Sequence, residues 1–533
     1  MEEKLFLLGD EAVAQAALDA GVSGCYAYPG TPSTEIMEYV QASRQAAGEG
    51  VVREWSANEK TAMEAALGMS YAGRRAMVCM KHVGLNVASD TFMNAAITGV
   101  NGGLLVVVAD DPSMHSSQNE QDSRYYGHFA QIPVLEPSDQ QEAYDMVREG
   151  FEMSERFGVP VLLRLVTRLS HSRTGVTPRP PVEQKPLRLP SDPKQFILLP
   201  SIARKRYKQL LADRPRFMEE ANREDGHNRY IPHPGSQRGI IACGLAYNYL
   251  MENFPGGVPY HVLKVSFYPL PEEMIRRLFE DAGEIIVLEE GYPYAEEMLL
   301  GMPPREVPVI RGRLDGTLPR DGELNPWLVG RALGRDLPEP AVTPEVTVPR
   351  PPSFCPGCGH IDVYKALNIA MEKYGRGRVF SDIGCYTMGA LPPYNAINSC
   401  VDMGASITMA VGAADAGLVP AVAVIGDSTF THSGMTGLLD AVNKRSPVTI
   451  IISDNDATAM TGGQIPAGLG RIEQICLGLG VEKEHVRTII PLRKHHGENL
   501  QVMEEELAYE GVSVIVARRE CVRVAAAKKK IKR

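Results

Sequence analysis

IGDSTFTHSGMTGLLDAVNKRSPVTIIISDNDATAMTGGQ (residues 425–464) reads as strand, crossover helix, strand and Gly-rich loop. The first strand delivers Gly426 and Asp427, and the second delivers Asp454 and Asn455 before the loop begins. The 28 positions from Asp427 to Asn455 are one βαβ crossover, so both side chains emerge at the carboxyl ends of neighbouring parallel strands. Ligands of open α/β sheets bind at that edge. A carboxylate, an amide oxygen and a nearby carbonyl form an oxygen set suited to Mg²⁺ while the ion also holds phosphate oxygens. Gly426 permits close backbone approach, and the turn at Gly462 and Gly463 can offer N–H groups to phosphate. The competing account is an ordinary βαβ unit with polar loop residues.

The same alternation extends outward through the chain. Strand-like runs occur at MVCM (77–80), LLVVVA (104–109), GIIAC (239–243), EIIVLEE (284–290), AVAVIGD (421–427), VTIIISD (448–454) and SVIVA (513–517). Strands alternating with helices predict α/β domains with parallel sheets covered on both faces. The expected division is an αβ block at 1–175, a proline-rich and basic linker with one exposed charged helix at 176–237, and a compact αβ block at 238–338. A proline-rich joint follows at 339–354, then a last αβ block at 355–533. Two Ala/Gly-rich helical stretches, 57–73 and 400–417, each run into an apolar strand, as two copies of one αβ domain would.

Composition narrows the function classes. With 65 acidic and 55 basic side chains the net charge is −10, against a nucleic-acid-binding protein. No apolar run reaches the length of about 18 residues that a membrane-spanning helix needs. The acidic start, MEEKLFLLGDEAVAQ, lacks a cleavable signal pattern, so a cytoplasmic location is expected. Nine cysteines in a chain of 533 residues are too few for a disulfide framework. Four of them stand out: Cys355 and Cys358 in FCPGCGH, Cys385 in SDIGCYTMG, and Cys521 after the last strand. Four thiolates suit Zn²⁺ or an iron–sulfur cluster, and spacing alone favours zinc. A thioredoxin-like CxxC is a third possibility, with unconvincing surroundings. Cys25, Cys79, Cys243, Cys400 and Cys476 read as buried, inert thiols.

GDS…DN followed by TGGQ resembles the thiamine-diphosphate motif of the 2-oxoacid:ferredoxin oxidoreductases. Ser428 stands where most thiamine enzymes have glycine, although a small residue is kept. The resemblance implies a Mg²⁺ shell completed by the carbonyl of Ala457. It also implies an activating carboxylate against the aminopyrimidine in NEKTAMEAALGMSYAG (58–73), at Glu59, with Glu64 as the rival. CYAYPGTPSTE (25–35) resembles the substrate loop, which maps the contact with the 2-oxoacid carboxylate onto Thr31. Cys355, Cys358, Cys385 and Cys521 match the family's ligands to a [4Fe–4S] cluster beside the cofactor, with Arg518, Arg519 and Arg523 available to offset its charge.

The order of domains resembles the large subunit of the indolepyruvate:ferredoxin oxidoreductases, along essentially the whole chain. That family implies two thiamine-diphosphate-binding-type domains and a middle domain like the C-terminal domain of transketolase. The implied reaction is oxidative decarboxylation of an arylpyruvate to an acyl-coenzyme A, with electrons leaving through the cluster. The implied partners are a small beta subunit and ferredoxin or another iron–sulfur acceptor, in a hetero-oligomer. The family usually continues into a ferredoxin-like domain, but this chain ends at KKKIKR. Electron exit through a separate iron–sulfur protein or a partner subunit is therefore expected. The tail Lys528, Lys529, Lys530, Lys532 and Arg533 is a candidate docking patch for an acidic ferredoxin, against the plainer account of a solvated tail. The alternatives are a non-oxidative thiamine-dependent decarboxylase with a structural zinc site, and a non-catalytic scaffold subunit.

Overall fold

The computed structural model describes residues 4–192, 194–301, 308–340, 346–348 and 352–531. The chain divides into two compact units, Met1–Val342 and Thr343–Arg533.

The first unit is built on a seven-stranded sheet. Its order is Phe267–Tyr268, Val134–Leu135, Val161–Val166, Leu104–Asp110, Ala76–Lys81, Gly24–Ala27 and Val52–Trp55. Every pairing is parallel except the edge strand Phe267–Tyr268, which runs antiparallel to Val134–Leu135. The central strands are buried along their full length, which accounts for near-continuous apolar runs such as LLVVVAD. Helices Glu59–Tyr71 and Gln140–Phe157 cover this sheet. The unit also holds a two-stranded antiparallel pair, Leu5–Leu8 with Arg173–Val176, and a five-stranded sheet with Glu284–Leu288, Arg238–Cys243 and His261–Val265 at its centre. Strand Arg229–Ile231, from the proline-rich stretch, closes one edge antiparallel to His261–Val265.

Helix Pro200–Ala221 occupies the place where the sequence suggests an exposed charged helix. It is exposed on most faces, but Leu210, Phe217 and Ala221 are buried, and the Phe217 ring meets Phe157 edge-on at 5.0 Å. EIIVLEE does not stay extended to its end. The strand stops at Leu288, because the carboxylates of Glu289 and Glu290 turn to other partners. Glu289 accepts from Arg124 at 2.8 Å and from the backbone N–H of Ala295 at 2.9 Å.

These contacts belong to a buried ionic network. Arg164 pairs with Asp110 at 2.6 Å and with Glu136, and Arg124 pairs with Asp122 at 2.5 Å. Arg124 also donates to the carbonyls of Glu290 and Tyr292, at 3.0 and 2.9 Å. The loop from Asp111 to Asp122 is thereby pinned at its far end to the five-stranded sheet. Buried pairs of this kind contribute little net stability while intact, but removing one partner costs about 3–5 kcal/mol.

The second unit holds a six-stranded, wholly parallel sheet. Its order is Ser399–Cys400, Val379–Ser381, Ala421–Gly426, Val448–Asp454, Ser513–Arg518 and Val486–Ile489. Ala421–Gly426 and Val448–Asp454 are adjacent, in the arrangement the 425–464 segment predicts, and both are fully buried. Among the described residues no helix is long and apolar enough to cross a membrane.

Candidate active site

The two central strands of the second unit end together at Gly426 and Asp454. Gly426 is required: a Cβ there would lie 2.7 Å from the Tyr386 ring. Asp427 follows as the first residue of a helix and is 2% exposed. Its Oδ1 accepts from the N–H of Ser428 at 2.7 Å, and its Oδ2 accepts from the N–H of Asn455 at 3.1 Å. The Asn455 amide oxygen accepts from the N–H of Ala457 at 3.1 Å, and Thr458 donates to the Ser428 hydroxyl at 3.0 Å. Asp427, Ser428, Asn455 and Ala457 are thus joined by direct bonds at one sheet edge. Gly462 and Gly463 fold back through the N–H of Gly463, which donates to the Thr458 carbonyl at 3.0 Å. Both glycines have positive φ, 132° and 89°, which side chains rarely adopt.

Burial pushes the Asp427 carboxyl up to about 7, with the charge of Asp454 adding to the shift. Among the described residues it has backbone N–H partners and no cation. The Oδ1 of Asp454 beside it is buried without a partner. Buried carboxylate oxygen in excess of positive charge, in an all-oxygen set, fits a hard divalent cation.

The four singled-out cysteines line one cavity of about 210 Å³, shared with His360, Asn455, Arg519 and Arg523. Cys358 precedes helix Gly359–Met371, and its Sγ lies 3.0 Å from the Nδ1 of His360. Burial pushes the Cys385 thiol up to about 12, and its nearness to Cys358, Cys521 and Cys355 adds to the shift. Thiols so placed need a cationic centre to become thiolates, and a metal group fits that demand. Zn–S bonds of about 2.3 Å would hold tetrahedral sulfurs about 3.8 Å apart. Among the described residues, however, the only three-residue group of ligand-type atoms all within 4.8 Å is Asp10, Glu35 and His171. The N–H of Cys521 donates to the Asn455 carbonyl at 2.9 Å, so the cysteine cavity and the Asp427 loop share a backbone contact.

Two expectations need correction here. Arg518 does not line the cavity, as its neighbour Arg519 does: it pairs with Asp454 at 2.8 Å and Glu473 at 2.6 Å. Cys400 is exposed on the edge strand, whereas Cys25, Cys79, Cys243 and Cys476 are buried as read. Helix Val522–Ile531 starts directly after Cys521, and Lys528 pairs with Glu520 at 2.7 Å. Lys532 and Arg533 lie outside the described residues.

In the first unit the sequence leaves two glutamates, and burial separates them. Glu59 opens helix Glu59–Tyr71 behind the N-cap Asn58 and is 5% exposed. Its carboxylate lies so close to Gly84 that a Cβ there would stand 2.7 Å from it. Glu64 is on the surface, paired with Lys60. Thr31 sits in the loop after strand Gly24–Ala27, where its carbonyl accepts from the Ser116 hydroxyl at 3.1 Å. Ser33, which could have capped the next helix, instead donates to the Gly30 carbonyl at 2.8 Å. The loop following strand Leu104–Asp110 folds over this place. Asp111 accepts from the N–H of Ser116 at 2.8 Å and from the hydroxyls of Ser117 and Thr167, at 2.7 and 2.6 Å.

The sequence reading passed over Lys81. It is the last residue of strand Ala76–Lys81, is 9% exposed, and donates to the Ser116 carbonyl at 3.0 Å. The available signal was a lysine ending an otherwise apolar strand at the carboxyl edge of the sheet.

Comparison with known proteins bears on the whole chain. The family model "Pyruvate flavodoxin/ferredoxin oxidoreductase, thiamine diP-bdg" matches residues 15–226. That of the "Thiamine pyrophosphate enzyme, C-terminal TPP binding domain" matches residues 382–476. Indolepyruvate oxidoreductase subunit IorA of Methanothermobacter thermautotrophicus is 38% identical, over 98% of this chain and 87% of its own length. The IorA proteins of Archaeoglobus fulgidus and Pyrococcus abyssi are each 39% identical, over 97% of this chain and 86% of theirs. Among solved structures, a 2-oxoglutarate:ferredoxin oxidoreductase from Magnetococcus marinus shares the fold. Its TM-score is 0.52 at 16% identity, over 62% of this chain and 65% of that one. With near-complete coverage at this identity, and both thiamine-type models matched, the chain belongs to the indolepyruvate oxidoreductase IorA family.

Proposed function

We infer that the chain is the thiamine-diphosphate-bearing subunit of an oxidoreductase that oxidatively decarboxylates an arylpyruvate of the indolepyruvate type to its coenzyme A thioester. It works with a small beta subunit and passes electrons to ferredoxin or a similar carrier. Asp427, the Asn455 amide oxygen and the Ala457 carbonyl hold Mg²⁺, with Gly426, Ser428, Gly462 and Gly463 around the diphosphate. Glu59 holds N1′ of the aminopyrimidine, and Thr31 contacts the 2-oxoacid. Cys355, Cys358, Cys385 and Cys521 hold one [4Fe–4S] cluster.

Bound thiamine diphosphate supplies a carbon nucleophile and an electron sink, and the cluster supplies a one-electron exit. The chain's own residues do the rest. Glu59, buried at a helix start, takes and returns a proton at N1′. Asp427 neutralises the ion that carries the diphosphate. Asn455 serves both places at once, its side chain on the ion and its backbone carbonyl on the N–H of Cys521. That shared residue is the observation that carries the reading, because a redox centre one residue from the cofactor loop serves oxidation and not simple decarboxylation. The match of Cys355, Cys358, Cys385 and Cys521 to the ligand pattern of the family supports a cluster over structural zinc.

The experiment is product analysis of the anaerobic complex with its beta subunit, given an arylpyruvate, coenzyme A and a one-electron viologen dye. The expected products are the aryl acetyl thioester and CO₂, with a pair of electrons on the dye for each CO₂ released. Release of the aldehyde without dye reduction would establish the non-oxidative decarboxylase instead.

A further inference from the structure

Lys81 presents a buried positive charge that, among the described residues, no carboxylate meets in a direct ion pair. It is 9% exposed, and its one hydrogen bond among the described residues goes to an uncharged acceptor, the Ser116 carbonyl, at 3.0 Å. No carboxylate of the described residues stands within ion-pair reach of it; Asp111 and Glu59 act on it from farther away. Burial lowers its pKa to about 8, the two carboxylates opposing the shift, so it remains protonated at neutral pH. A buried, incompletely paired ammonium is costly unless an anion joins it.

Its surroundings include Thr31, to which the proposed function gives the contact with the 2-oxoacid. The Lys81 stem runs along the backbone of Gly30, where a Cβ would lie 3.1 Å from its Cδ, one residue before Thr31. Ser116 bridges the two residues, donating its hydroxyl to the Thr31 carbonyl while its own carbonyl accepts from Lys81. The following residue adds an independent sign. His82 is 1% exposed, and neither of its ring nitrogens has a hydrogen-bond partner. Burial and the Lys81 charge hold its pKa down to about 4, so the ring is neutral and free to bond a ligand. An unpaired cation and an unpartnered imidazole side by side describe a polar, anionic ligand.

We propose that Lys81, with His82 beside it, is the anion-binding group for the substrate carboxylate, completing the contact made by Thr31. This deepens the proposed function and rests on it. An ammonium suits the purpose because it is a compact charge that can hold a carboxylate without itself taking part in the proton transfers at Glu59.

The test compares wild type with Lys81→Met, Lys81→Gln and Lys81→Arg in the complete complex. The probes are the arylpyruvate substrate and two inert competitors of one shape, 3-phenylpropanoate and its neutral amide. Wild type is expected to be inhibited far better by the acid than by the amide. In Lys81→Met and Lys81→Gln that preference should collapse to near unity, with KM for the 2-oxoacid raised about 100-fold and kcat much less affected. Lys81→Arg should keep most of the preference. Hydrogen–deuterium exchange at thiamine C2 should be unchanged in all three, which separates this role from that of Glu59. An acid-to-amide preference equal in wild type and Lys81→Met overturns the proposal. So does a loss of kcat with KM unchanged, which would make Lys81 a latch for the Ser116 loop. If wild type itself turned over no arylpyruvate yet still preferred the acid, the proposed function would fail while the anion site stood.

Discussion

Replacing Glu59 by glutamine is expected to leave thiamine diphosphate bound and to slow turnover by about two to four orders of magnitude. The amide has the shape of the carboxylate and fits the same space against Gly84, so the fold and the cofactor cradle should survive. It cannot, however, accept and return the proton at N1′, and C2 exchange should stop with it. Calorimetry reads the binding, and proton NMR in deuterated buffer reads the exchange. Glu64→Gln is the control. Its carboxylate is on the surface in a pair with Lys60, of a kind usually contributing about 0–1 kcal/mol, so exchange and turnover should stay near wild type. Exchange retained in Glu59→Gln and lost in Glu64→Gln would transfer the role to Glu64.

Asp427→Ala is expected to act one step earlier, on cofactor binding itself. Asp427 is the one charged oxygen ligand proposed for Mg²⁺, and the same carboxylate also accepts from the N–H groups of Ser428 and Asn455. Its removal both strands those donors and leaves the ion without a protein charge. Thiamine diphosphate affinity should fall about 100-fold or more, in line with removing one partner of a buried charge pair. Asp427→Asn, which keeps an acceptor but not the charge, separates the two contributions and should fall between wild type and Asp427→Ala. Wild-type affinity in Asp427→Ala would remove Asp427 from the metal site.

Where local pattern and burial coincide, the sequence was legible. The runs around Asp427 and Asn455 are long, β-branched and bounded by Gly and Asp, and the structure pairs them as adjacent parallel strands. Cys355 and Cys358 stand out as a CxxC, Cys385 and Cys521 only through the family pattern they match, and the four converge on one cavity. What escaped notice depends on contacts between distant segments. The edge strand Phe267–Tyr268 is too short to carry a period, and its pairing is set by Val134–Leu135. Arg124, Arg164 and Glu289 look like surface charges in sequence, and only their mutual neutralisation lets them be buried. Arg518 and Arg519 are indistinguishable as neighbours, yet Arg518 ends its strand paired with Asp454 and Glu473 while Arg519 lines the cysteine cavity. Lys81 was hidden for the same reason: nothing in MVCMKH shows that Gly30 and Ser116 will close around its side chain.

The central claim is that electrons from the 2-oxoacid leave through a cluster on Cys355, Cys358, Cys385 and Cys521. The most direct measurement is electron paramagnetic resonance on the anaerobically purified complex with its beta subunit, before and after an arylpyruvate is added with no acceptor present. Iron and acid-labile sulfide are assayed on the same sample. The account predicts iron and sulfide equivalent to one [4Fe–4S] cluster on this chain, and a reduced-cluster signal that appears with substrate and is lost in Cys385→Ser. Stoichiometric zinc in place of iron, or a cluster whose signal does not respond to the 2-oxoacid, would contradict it.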